Sequence, residues 1–478
     1  MASEKKPPPS LLDAEARGGD TAEGGFTFQD HMLVARIPAW LRREGFSEMV
    51  REAMGDAEAK FFVPGLGEVR EFVEYKDHRV APAEFWKEVG HLRKLDEGAP
   101  DTYARFVLGC RGVSESVRPV LNALRRVRDP HTFYAGADEI RDASFEDFVG
   151  AVERAGHSRA DAEFLFSKVS VESDAPDAER LAREVFSASL KEHFPGTSRL
   201  AGGDVEAAFE GLRSLVKSRR NQPISRAELE STLWSRVPEE IRADRRPVRV
   251  ITATDSVDPA SAQELVFDWQ EFFGGGERRY PPPGAWNRMR KELQAASEWI
   301  AAARRPRRIS LGGSRRLSAS LCIGSVFSAV SGFTFEMDYR GEVWKTDKYG
   351  GPEYPWEVER VGPRQCREIA VAIGILKDIR EDVAQFLEHE GRSAELRLVL
   401  TGFEALTGPA AANAAAAAAK EAVARELSAS GARVLHLFMA VPAPFALYLG
   451  HRLNAVGEVQ CYEWVGESSY VPTCRFST

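Results

Sequence analysis

Residues 56–76 read DAEAKFFVPGLGEVREFVEYK. From Ala57 to Val63 the residues alternate with the period of a strand. Pro64, Gly65 and Gly67 then make a turn, and a second strand-like run leads from Val69 to Lys76. Two such runs joined by a turn predict a β-hairpin, with Asp56 at the head of one strand and Glu74-Tyr75-Lys76 at the end of the other. Side chains alternate across a strand, so Glu74 and Lys76 share one face and Tyr75 takes the opposite one. Two carboxylates converging at that corner, Asp56 and Glu74, can hold a divalent metal, with the Lys76 ammonium beside an attacking water. Glu58 and Glu71 are rival acids, because pattern alone leaves strand boundaries open by a few residues.

The flanks set this hairpin in context. Upstream, GGFTFQ (residues 24–29) opens an apolar helical segment with Met32, Leu33, Ile37, Trp40 and Leu41. Downstream, Ala83 to Leu95 reads as an amphipathic helix carrying Phe85, Trp86, Val89 and Leu92. Helix, hairpin, acid-x-lysine, helix is an order that resembles the core of the PD-(D/E)xK nucleases. The resemblance implies a restriction-endonuclease-like α/β core acting on double-stranded DNA. It also implies that Asp56, Glu74 and the Tyr75 carbonyl hold Mg²⁺. Lys76 would orient or polarise the nucleophile, and Gln29 would reach in from the first helix.

With 478 residues the chain is long enough for two or three domains, and its 43% hydrophobic content is ordinary for a soluble protein. A net charge of −8 exerts no global pull on nucleic acid, so DNA contacts must come from local basic surface such as Arg118, Arg125, Arg126 and Arg128. The cysteines at 110, 322, 366, 461 and 474 have no metal-ligand spacing and are expected as free thiols. There is no signal-peptide pattern and no apolar run long enough to span a bilayer, so a cytoplasmic protein is expected. Neither a Gly-x-Ser-x-Gly elbow nor a P-loop is present, which argues against a serine hydrolase and a P-loop NTPase.

Four regions are expected: a polar disordered tail (1–22), the nuclease-like core (23–143), a helical adaptor (144–245) and a C-terminal α/β domain (246–478). The adaptor would hold helices at 145–155, 160–166, 177–191, 203–219 and 225–234, with Asp177 and Ser225 as caps. In the last region, 248–252 reads as a strand, 263–273 as a helix, and 286–303 as a long helix. Next comes RRPRRISLGGSRRLS (304–318), with six arginines in 304–316 and no acid from Trp299 to Phe335. It reads as a strand, a glycine turn and a small-residue helix, an arrangement that presents N–H groups and arginines to phosphate. Strands at 396–400, 433–441 and 458–464 alternate with helices at 410–427 and 445–453. That alternation implies a doubly wound sheet binding its ligand beyond the strand ends at Gly312–Arg316, Thr401–Phe403 and Val441–Phe445.

Residues 310–347, with Gly324 and Trp344-Lys345-Thr346-Asp347, resemble the SAVED domain. So do residues 436–462, with Val441-Pro442-Ala443-Pro444 and Leu449-Gly450. The resemblance implies two fused CARF-like Rossmann halves that sense a cyclic di- or trinucleotide containing adenine. Gly313, Ser314, Arg315 and Arg316 would meet its phosphates, with Lys345 as a further cation. Trp344, Phe403 and Phe445 would meet its bases, and Thr401, Gly402 and Pro442 would complete the site. A nuclease module fused to SAVED is similar to the CBASS endonuclease effectors of anti-phage defence, which implies self-association on ligand binding. Two alternatives stay open: a catalytically inactive receptor that recruits a partner, and a nuclease answering a CRISPR-derived cyclic oligoadenylate.

Overall fold

The computed structural model describes residues 23–53, 55–128, 137–173, 179–235, 237–242, 246–253, 262–270, 281–362, 366–390, 395–466 and 469–478. The expected tail and the Asp177 cap lie outside them. The chain divides into two compact units, Met1–Asp244 and Arg245–Thr478.

The first unit runs α1 (Glu23–Arg42), β1 (Phe46–Arg51), β2 (Ala57–Val63), β3 (Gly67–Val80), α2 (Pro82–Gly98), β4 (Tyr103–Val113), α3 (Arg118–Arg128) and α4 (Ala137–Arg154). It continues with α5 (Arg159–Lys168), β5 (Val169–Glu172), α6 (Glu179–His193), α7 (Gly202–Ser218), β6 (Pro223–Ser225) and α8 (Arg226–Trp234). Its strands form one mixed sheet in the order β5-β4-β3-β2-β1-β6. The expected hairpin is β2–β3, antiparallel, with Ala57 opposite Val73 and Val63 opposite Gly67. Strand alternation splits the core in two. Val73, Tyr75 and Val107 face α1, α6, α7 and α8, whereas Phe72, Phe106 and Leu108 face α2 to α5. The stretch expected as a helical adaptor therefore supplies both edge strands, β5 and β6, and much of one helical layer. Ser225 caps α8 as its sequence suggests, in a reciprocal capping box with Glu228.

The second unit comprises β7 (Val248–Ala253), β8 (Leu265–Asp268), α9 (Pro283–Ala303), β9 (Arg308–Gly313), α10 (Leu317–Val326), β10 (Thr334–Tyr339), β11 (Glu342–Lys345) and β12 (Trp356–Arg360). Then come β13 (Glu368–Ile375), α11 (Arg380–His389), β14 (Glu395–Gly402), α12 (Pro409–Ser430), β15 (Val434–Ala440), α13 (Ala443–Arg452), β16 (Glu458–Gly466) and β17 (Ser469–Ser477). Two sheets result, ordered β11-β10-β9-β7-β8 and β12-β14-β13-β15-β16-β17, each with a parallel centre. This is an α/β fold of two Rossmann-like halves. Residues 265–268, expected within a helix, instead pair in parallel with β7, a correction that the apolar Leu265-Val266-Phe267 explains by burial in the sheet.

Helices α10 and α13, one from each half, touch at two glycines. A Cβ on Gly324 would overlap the Leu447 carbonyl, and one on Gly450 would overlap the Leu321 carbonyl. No helix among the described residues is long and apolar enough to cross a membrane. The five cysteines are free thiols.

Candidate functional site

The β2–β3 register places Asp56 one residue ahead of the Ala57–Val73 pair, level with Glu74. The Tyr75 N–H donates to Asp56 Oδ2 at 2.5 Å, tying the head of one strand to the end of the other. Burial, and then the neighbouring Glu74 charge, push the Asp56 carboxyl up to about 8, against the opposing pull of the Tyr75 N–H and Lys76. Lys76 Nζ bridges Glu74 Oε1 at 2.8 Å and Glu88 Oε1 of α2 at 3.2 Å. Burial disfavours its charge, but these two carboxylates overcome it and hold the ammonium well above the usual lysine range.

Glu88 is the member of this corner that the sequence reading missed. Its signal was its place on α2, three residues after Phe85 and beside Val89, on the stripe that the helix buries. Tyr75 turns its ring to the other face, edge-on to Phe28 of α1 at 6.4 Å. Gly109 lies beneath that ring, where a Cβ would overlap it. Gln29 is half-buried on α1, and among the described residues no hydrogen bond joins it to Asp56, Glu74 or Lys76.

The rival acids are engaged elsewhere. Glu71 accepts from Arg36 Nε at 2.9 Å, Trp40 Nε1 at 2.9 Å and Arg43 at 3.2 Å. Burial opposes its charge, yet the two arginines and the indole hold its carboxyl down at about 2. Glu58 is buried against Arg70 at 3.3 Å and the Tyr103 hydroxyl at 3.4 Å. The structure thus brings together Asp56, Glu74 and Lys76 and leaves Glu58 and Glu71 as structural ion pairs.

Among the described residues there is no group of three or more His, Cys, Asp or Glu arranged to hold a metal. The Asp56–Glu74 pair nevertheless fits Mg²⁺, which binds proteins through one or two carboxylates and keeps several waters. Burial and the Glu74 charge both disfavour the Asp56 carboxylate, and a divalent cation held there would offset them.

In the second unit, β9 ends at Gly313, whose φ of +82° turns the chain into residues 314–316. The Thr252 hydroxyl donates to the Ser314 carbonyl at 2.9 Å and fixes that turn. Arg315 donates to the Gly313 carbonyl at 2.9 Å and approaches Met337 Sδ at 3.6 Å. Burial pushes its guanidinium down to about 10. A partly buried arginine that donates to neutral groups, and whose Nε is buried without a hydrogen-bond partner among the described residues, is suited to receive an anion.

Several residues around this turn have partners within the chain. The Ser318 N–H in the first turn of α10 donates to Glu463 Oε1 at 2.7 Å. Arg316 serves as the N-cap of that helix. Trp344 is 3% exposed and packs on Tyr339 at 5.0 Å, and Phe445 is fully buried against Trp356 at 5.7 Å. Both are core residues, because β11 and the first turn of α13 turn those positions inward. Lys345 pairs with Glu336 at 3.3 Å.

The β14 and β15 ends do lie at one sheet edge, since Gly374 of β13 is in register with both Thr401 and Ala440. Thr401 is buried there, and Gly402 lies under the Tyr354 hydroxyl, where a Cβ would overlap. Pro442 caps α13. Phe403 is 65% exposed and Leu376 63%, giving this edge an apolar rim. The sequence reading missed Leu376 because it passed over β13.

Residues 292–476 match the family model of the SMODS-associated and fused to various effectors sensor domain, SAVED. Two relatives, each called CD-NTase-associated protein 4, come from an Acinetobacter species and from Moraxella osloensis. Each is 26% identical to the chain and spans 98% of it and 99% of the relative. Among solved structures, the Acinetobacter baumannii Cap4 SAVED/CARF-domain receptor with the cyclic trinucleotide 2′3′3′-cAAA superposes with a TM-score of 0.82. It is 24% identical, over 96% of this chain and 99% of that one. The Moraxella osloensis Cap4 receptor gives a TM-score of 0.76 at 24% identity, over 95% and 100% of the two chains. The match to the family model, lying within a unit built of two parallel-centred α/β halves, identifies the C-terminal part of this chain as a SAVED sensor domain.

Proposed function

We propose that the protein is a CBASS-type anti-phage effector, acting in the cytoplasm. Its C-terminal unit senses a cyclic oligonucleotide, and its N-terminal unit responds by cutting double-stranded DNA. The sensing half of this reading draws on the SAVED match and on the cyclic trinucleotides bound by the Acinetobacter baumannii receptor, 2′3′3′-cAAA and 3′3′3′-cAAA. An adenine-containing cyclic trinucleotide is the ligand class, and Arg315 is the residue assigned to one of its phosphates.

The cutting half is carried by one observation: Asp56, Glu74 and Lys76 meet at a single corner of the sheet. Asp56 and Glu74 would hold Mg²⁺, which supplies charge neutralisation at the scissile phosphate and a more acidic bound water. Lys76, kept charged by Glu74 and Glu88, orients the attacking water and offsets the negative charge that develops on the phosphate. Ligand binding favours a self-associated state in which neighbouring nuclease modules engage one duplex. A second reading, an inactive module that recruits a partner, is favoured by the absence of a third metal-ligating side chain among the described residues.

The test is plasmid cleavage in Mg²⁺ with a panel of cyclic di-, tri- and tetranucleotides, with light scattering to follow assembly. Wild type is expected to cut with one ligand class and to assemble with it. Lys76→Ala should bind that ligand and assemble without cutting, and Arg315→Ala should lose ligand binding. Binding and assembly with no cutting by wild type would establish the inactive-module reading. Activation confined to larger rings of adenylate would favour a CRISPR-derived signal.

A further inference from the structure

Four arginines from three elements of the first unit line one cavity of about 390 Å³: Arg79 of β3, Arg111 of β4, and Arg118 and Arg125 of α3, with Asn122 and Ser173 beside them. Among the described residues, their counter-charges include Glu115 and Asp77. Glu115 reaches both Arg79 and Arg118 at 3.0 Å, but Glu115 is 73% exposed and the two arginines 55% and 57%. Asp77 pairs with Arg111, and Arg125 donates to the Ser173 hydroxyl at 3.4 Å. Exposed ion pairs of this kind contribute little, so an incoming phosphate can replace Glu115 easily. Guanidinium groups match phosphate oxygens with paired hydrogen bonds, and a cluster of them in a cavity is selective for that group. Arg128, by contrast, donates to the carbonyls of Leu165, Phe166 and Val169 and takes no part.

The cavity stands in a defined relation to the acid–lysine corner. Arg79 follows Lys76 by three residues on β3, while the paired strand advances only from Cys110 to Gly112 over the same interval, about 7 Å. Two successive nucleotides of a DNA strand rise by about the same length, at ~3.4 Å each. Between Lys76 and Arg79 the β3–β4 register shifts, with Arg79 opposite Gly112, so the strand end is bulged at this point. Bulges re-aim side chains at strand ends beside functional sites.

We propose that this cavity is a phosphodiester subsite that seats the backbone of the cut DNA strand about two nucleotides from the scissile bond. This rests on the nuclease reading above for its position relative to the cut, while the binding of backbone phosphate is independent of cutting. The cavity then sets where along the duplex the corner at Lys76 falls.

The experiment is fluorescence anisotropy of a short labelled duplex with the full-length protein in EDTA, with and without 3′3′3′-cAAA, across a salt titration. The triple variant Arg79→Ala/Arg118→Ala/Arg125→Ala is compared with wild type. Its slope of log affinity against log salt should fall by about 1 for each arginine that touches phosphate. All three side chains are exposed, so the unfolding midpoint should hold. Arg118→Glu alone should weaken binding more than Arg118→Ala and serves as the single-site check. Unchanged affinity and slope in the triple variant, or no duplex binding by wild type in either state, overturns the subsite. Plasmid cutting by the same proteins separates the two ideas. Binding lost with the arginines but no cutting by wild type leaves the subsite and removes the nuclease. Cutting by the triple variant at wild-type DNA concentration dependence leaves the nuclease and removes the subsite.

Discussion

Asp56 and Glu71 sit in the same hairpin, and their surroundings drive their carboxyls in opposite directions, to about 8 and about 2. For Asp56 the folded value lies above the ordinary 3.8, so the stability it contributes is full below that value and is lost as pH rises through about 8. Asp56→Asn should therefore raise the unfolding midpoint of the metal-free protein by several degrees at neutral pH, and under the nuclease reading it abolishes cutting. A lower midpoint in a thermal melt would contradict this assignment. Under the same reading, deprotonation of Asp56 precedes cation binding. The affinity for Mg²⁺, measured by calorimetry, should tighten with pH up to about 8 and level off above it. Glu71 shows the reverse linkage: its stabilisation is present above the unfolded value of 4.5 and is lost as pH falls toward 2. Glu71→Ala would leave Arg36 and Arg43 without their shared buried carboxylate. A loss of about 3–5 kcal/mol in denaturant unfolding is expected, the usual result of breaking a buried pair.

The local elements most legible in the sequence were those whose pattern is its own evidence. The β2–β3 hairpin has alternation and a glycine turn, and α8 has its Ser225–Glu228 box. By contrast β13, the strand between β14 and β15, was passed over. After Glu368 its run IAVAIGI is continuously apolar, and a strand buried on both faces has no alternation to separate it from a helix. The helix pair α10–α13 is a further case. Gly324 and Gly450 stood out as motif residues, but their reason is a close helix contact that exists only once both halves have folded. Gly324→Ala would drive a methyl group into backbone atoms of α13, and overpacking of this kind costs about 1–3 kcal/mol. Gly450→Ala should do likewise against α10. An unfolding midpoint equal to wild type in both variants would show that the contact can relax.

At the scale of the whole molecule, ligand binding shifts stability by mass action. A ligand that binds only the folded sensor adds about 2.7 kcal/mol at a hundredfold excess over its Kd. Under the sensor reading, 3′3′3′-cAAA should raise the melting midpoint of wild type, and Arg315→Ala should show no shift. An equal rise in both would remove Arg315 from the ligand site. The acid–lysine hairpin and the alternating strands and helices of the C-terminal half determined the α/β class, and the motifs Trp344-Lys345-Thr346-Asp347 and Val441-Pro442-Ala443-Pro444 carried the resemblance to SAVED. Those features are local or periodic, and the chain carries them wherever its partners lie. Tertiary structure alone decided that the stretch expected as an adaptor, 144–245, supplies the edge strands β5 and β6 of the first unit's sheet, since β6 finds β1 across more than 170 intervening positions. It also decided that Asp56 rather than Glu58 meets Glu74, that Glu463 caps α10, and that Trp344 and Phe445 are core. Each of these depends on which distant side chain supplies the counter-charge or the apolar contact, and local periodicity carries no record of that choice.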